Sequence, residues 1–148
     1  MQKLLPELML LLLTGLFINA CTTAPSDIEY GEDQCHACKM MIADSRFGAE
    51  LVTAKGKIQK FDAIECLVPE LNKHGEDHYA HIMVTNFNQP GTLIDATKST
   101  FLISNNRPSP MGGFLSAYAS ASEAEAAEAE YKGQVFSWEN LKKQEQFK

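Results

Sequence analysis

Two short runs carry the residue types that do chemistry. Asp33-Gln34-Cys35-His36-Ala37-Cys38-Lys39-Met40 places two thiols three residues apart, with a thioether two residues further on. Ser109-Pro110-Met111-Gly112-Gly113 holds a second thioether on a stiff, Gly-ended loop. A C-x-x-C pair either chelates a metal or forms a redox disulfide. Attachment of a c-type haem requires His directly after the second Cys, and Lys39 stands there. A structural zinc site requires a second pair of nitrogen or sulfur ligands; there is no second C-x-x-C, and Cys66 with one of His74, His78 or His81 has no diagnostic spacing. Met40 tips the balance, because a thioether is a poor ligand for Zn²⁺ and a good one for Cu(I). Met111, on a loop poorly placed to be packing material, points the same way.

The remaining candidates have plainer readings beside the functional ones. His36 is a copper ligand or an exposed turn residue. Cys66, beside Ile64 and Leu67, reads as a small buried hydrophobe. Met41 points opposite to Met40 in an extended chain and reads as packed. The histidines at 74, 78 and 81 read as solvated. The Glu-rich stretch from residue 123 to 130 reads as a solvated helix face. No carboxylate pair, nucleophile triad or phosphate loop is visible, so the expectation is a protein that is not an enzyme. The main alternative is an exported thiol-disulfide oxidoreductase using Cys35 and Cys38.

The elements that must position these residues follow from patterning. Residues 47–53 and 58–61 form a β-hairpin across Lys55-Gly56-Lys57. Asp62 is the expected N-cap of a helix to about Lys73, with Pro69 inside it. Residues 79–87 form a strand, and 93–104 one or two more. Residues 105–113 form a loop. Ser122 with Glu125 reads as a capping box opening a helix that Gly133 stops. Val135-Phe136 is a strand, and residues 138–143 a last short helix. The order is that of an α+β fold, without the regular alternation of a doubly wound sheet.

Upstream, one Lys and an apolar stretch from Leu8 to Ile18 form a secretory signal too short to span a membrane. Ile18-Asn19-Ala20-Cys21 resembles the lipobox of bacterial lipoproteins. The expectation is a signal peptide over 1–20, a lipidated Cys21 with a polar tether over 21–29, and a folded domain over 30–148. That places the protein in the cell envelope, facing the periplasm and anchored to the lipid membrane. The net charge of -6 excludes nucleic acid as a partner.

Together these residues resemble the NosL family of copper-chaperone lipoproteins that accompany nitrous oxide reductase. The likeness rests on Cys21, the run from Cys35 to Met40, Arg46-Phe47-Gly48-Ala49-Glu50-Leu51, and Lys60-Phe61-Asp62-Ala63-Ile64-Glu65-Cys66. It continues through Asp95-Ala96, Ser109-Pro110-Met111-Gly112-Gly113 and Trp138-Glu139-Asn140-Leu141. It implies a Cu(I) carrier with two related ββαβ units, similar to the mercury-lyase arrangement. Its ligands would be Cys35, Cys38, Met40 and Met111. Its partners would be apo nitrous oxide reductase and a membrane ABC-type maturation complex.

Overall fold

A computed structural model describes residues 23–147. The expected signal peptide and the expected lipidation site, Cys21, lie outside that range. Seven strands and three helices follow in the order β1 (Ala49–Thr53), β2 (Ile58–Phe61), α1 (Ile64–His74), β3 (Tyr79–Thr85), β4 (Leu93–Asp95), β5 (Thr100–Ile103), β6 (Leu115–Tyr118), α2 (Ala121–Tyr131), β7 (Gln134–Ser137) and α3 (Trp138–Leu141). The domain is α+β, as the element order predicts. One antiparallel sheet runs β2-β1-β3-β4 and the other β6-β5-β7.

The two-unit expectation is met. β1-β2-α1-β3 and β5-β6-α2-β7 are each a ββαβ run whose first strand lies between the other two. A parallel bridge from Asn86 to Ala117 joins the sheets. The shared core includes Ile42, Leu51, Phe61, Leu67, Leu71, Phe101, Leu115 and Leu141. α2 packs Ala124 and Ala127 over Leu102 and Tyr118, so the Glu-rich segment is a packed helix.

Local differences from the sequence reading have physical causes. Asp62 is not the N-cap of α1; Ala63 takes that place with no side-chain bond. The Asp62 side chain is buried and engages the Ala43 amide instead. α2 begins two residues early. Ser120, not Ser122, is its N-cap and accepts from the Glu123 amide. Met41 is not packed but 56% exposed. β6 had no counterpart in the sequence reading. The loop-to-helix segment that holds it is buried at all four positions, so it shows no in-out alternation.

Candidate metal centre

The 35–40 run is a tight turn at the rim of the first sheet. The Cys35 amide donates to the Met40 carbonyl at 2.8 Å and the Lys39 amide to the Cys35 carbonyl at 3.0 Å. Lys39 takes φ 64° to close the turn. The His36 amide donates to Lys60 O at 2.7 Å, which fastens the turn to the edge strand β2. Gln34 pairs with Met41 on the way out. An open cleft at the turn is lined by Cys35, His36, Lys39, Gln59 and Lys60.

α1 supplies the third thiol. Cys66 is the third residue of that helix, and the ligand atoms of Cys35, Cys38 and Cys66 all lie within 4.8 Å of one another. All three are free thiols. Cys66 is buried, as its neighbours suggest, but it is also part of the cluster. Three sulfurs at this separation form a ready chelate for a soft metal.

The thiols are electrostatically unequal. Hydrogen bonding from the Cys66 S–H holds the Cys35 thiol well below its ordinary value, helped by the backbone at Asp62 and Cys38. The same bond, with burial, pushes Cys66 up. Cys35 also lies near the start of α1, where the helix dipole favours a thiolate. The trio therefore holds one sulfur ready as an anion before any metal arrives.

The second thioether loop is tied to this helix by Glu65. Ser109 Oγ donates to Glu65 Oε1, and Leu115 N donates on to Ser109 Oγ at 3.4 Å. Gly113 lies so close that a Cβ there would stand 2.5 Å from Glu65 Cγ. Burial pushes the Glu65 carboxyl up, opposed by the Ser109 bond and the amides of Gly113 and Leu115. Met111 thus rides on a loop gripped on both sides by the residue before Cys66. Met40 and Met111 are 51% and 39% exposed.

His36 is half-buried and turned elsewhere. Its Nε2 lies 2.9 Å from Gln59 Nε2 and 3.9 Å from Glu70 Oε1, and its ring stands edge-on to Phe61. It is not in the thiol cluster. Sequence reasoning passed over Glu65 and set Cys66 aside. The available signal was their adjacency at the start of a helix that follows the C-x-x-C run.

A small α+β domain of paired ββαβ units with three free thiols gathered at its rim has the form of a metal-binding domain. The family model for NosL matches residues 27–146, and the chain belongs to the NosL family, the family of copper chaperones. Among solved structures it is similar to the copper chaperone NosL from Shewanella denitrificans, with a TM-score of 0.67 and 18% identity. That match covers 80% of this chain and 95% of the other, and at this identity it shows the fold. No curated protein matches.

Proposed function

We propose that this protein carries Cu(I) as cargo on the Cys35, Cys38 and Cys66 sulfurs, with Met40 and Met111 as thioether ligands, and hands it to apo nitrous oxide reductase in the cell envelope. The observation that carries this reading is the convergence of three thiols within 4.8 Å of one another; Met40 follows Cys38 by two residues and Met111 sits on the loop tied to Glu65, and both are exposed. Thiolate and thioether donors together select Cu(I) among common metals. Exposed thioethers suit a carrier, because an incoming protein can replace them one at a time while the buried thiols still hold the ion. The loop bearing Met111 acts as the lid in this scheme.

Anchoring through a lipidated Cys21, docking on a membrane ABC-type complex and a periplasm-facing location belong to the same proposal. They rest on the lipobox-like start and on family membership. No helix among the described residues is long and apolar enough to cross a membrane.

The test is an anaerobic Cu(I) titration against a competing chelator, followed by transfer to apo nitrous oxide reductase. One-to-one binding that Cys35→Ala abolishes supports the carrier. The lowered Cys35 thiol beside Cys38 also suits an exported thiol-disulfide oxidoreductase. Turnover of a disulfide substrate without copper affinity would establish that reading instead.

A further inference from the structure

We propose that Arg107 is the pivot of the loop that carries Met111, a positioning residue that decides where the thioether lands when the loop closes; this builds on the reading of Met111 as a ligand of Cu(I). Arg107 is only 8% exposed, although its charge is permanent. Among the described residues no carboxylate stands within ion-pairing distance of it. Two rings meet the charge instead. The guanidinium carbon lies 3.8 Å from the ring centroid of Phe87 and 3.6 Å from that of Tyr131. Nη1 donates to the Tyr118 hydroxyl at 2.5 Å. A guanidinium is flat and weakly hydrated, so it lies between two rings as an ammonium does not. Glu123 and Glu130 line the cleft beside it, and their charge would repel an anion. The group is therefore built to hold structure rather than an anionic ligand.

Its partners come from both halves of the fold. Phe87 follows β3 of the first ββαβ unit, while Tyr118 and Tyr131 end β6 and α2 of the second. The backbone beside Arg107 is fastened to the same place. Its amide donates to Ser104 O at 2.9 Å, and Ser104 Oγ and Asn106 Nδ2 both donate to Tyr131 O at 2.8 Å. Ser104 N donates to Phe114 O at 3.0 Å, which ties down the far end of the loop. The root of the loop is thus held where the two units meet, by contacts that do not involve Glu65.

Between the root and the thioether the chain is stiff. Pro108 and Pro110 are two of the three residues that separate Arg107 from Met111, and each fixes its own φ. Gly112 N donates to Ser109 O at 3.0 Å, closing a turn with Pro110 at the position where that residue is favoured. A displacement at Arg107 is carried to Met111 rather than absorbed on the way. Glu65, through Ser109, decides whether the tip is down. Arg107 decides where it comes down.

The test compares Arg107→Lys with the parent in the full chain, because Lys keeps the charge and loses the flat stack. In the copper-free protein, ¹³C relaxation of the methionine methyls should show a lower order parameter for Met111 and an unchanged one for Met40. Loss of Cu(I) to a chelator should quicken about threefold or more, and Arg107→Lys combined with Met111→Leu should lose copper no faster than Met111→Leu alone, as expected of a residue acting through that thioether. Tyr131→Leu, which removes one ring of the stack, should repeat both results and serves if Arg107→Lys does not fold. An unmoved Met111 methyl, or additive copper loss in the double variant, would overturn the pivot. Copper loss unchanged by Met111→Leu alone would instead sink the thioether reading, and the copper-free relaxation would still decide the pivot.

Discussion

At the scale of single residues, the decisive group is Cys66. Its thiol is the donor in the hydrogen bond that keeps Cys35 anionic, so it must give up that proton to bind a metal. Two expectations follow. Cys66→Ala should lower Cu(I) affinity tenfold or more in a chelator competition, with the far-ultraviolet circular dichroism spectrum unchanged. Affinity should also climb as pH rises from 6 to 8, because each thiol that binds as thiolate releases its proton. A variant without Cys66 should show a shallower slope. Met111→Leu keeps the bulk and removes the thioether; it should speed copper loss to a chelator without altering thermal unfolding. The C-x-x-C-x-M run was legible in the sequence because its ligands are neighbours in the chain. Cys66 was not, since its 28-residue separation from Cys38 means that only folding α1 against the turn brings the sulfurs together.

At the scale of elements, the loop from Ser109 to Gly113 owes its position to one carboxylate. Glu65→Ala removes the grip on Ser109 and leaves Gly113 without its close neighbour. Copper loss should then approach that of Met111→Leu, and amide exchange across residues 109–115 should accelerate. Gly133 is fixed more severely. Its φ is 120°, and a Cβ there would stand 2.1 Å from the Ile103 carbonyl oxygen. Gly133→Ala should cost about 2 kcal/mol or more of folding stability in a denaturant titration. The sequence showed that glycine as a helix stop but not the reason for it, which is the close approach of β5. The N-cap of α2 went astray for a similar reason. Ser120-Ala121-Ser122-Glu123-Ala124-Glu125 contains two overlapping capping boxes. The choice falls to Ser120 because β6 ends at Tyr118 and the turn begins at once. β6 left no signature because its four residues are all covered, two on each face.

At the scale of the whole molecule, a polar network fastens the N-terminal segment to the first sheet. Glu50, on β1, is fully buried. It accepts from Ser26 N and Ser26 Oγ, both at 3.0 Å. Its cross-strand partner Lys60 bonds Asp27 O and Asp33 Oδ2, both at 2.6 Å. Ile28 is buried in the core. Burial pushes the Glu50 carboxyl up, against the Ser26 bonds and the charge of Lys60. A carboxyl raised on folding contributes stability that is complete below its unfolded pKa and is lost as pH rises through the folded value. Glu50→Gln should therefore gain on the parent chain between pH 5 and pH 8, as read from denaturation midpoints. None of this network was visible in the sequence, because a Glu inside a strand reads as a solvent-facing residue.

That fastening sets a leash. Ser26 is five residues past Cys21, a reach of at most about 18 Å even when fully extended, and Cys35 lies only nine residues beyond Ser26 on a segment laid against the sheet. Under the proposed lipidation of Cys21 and periplasmic location, the thiols would not be free to roam. They would patrol a shell a few nanometres deep over the bilayer, and encounters with the proposed membrane-bound partner would become a search by lateral diffusion in two dimensions rather than three.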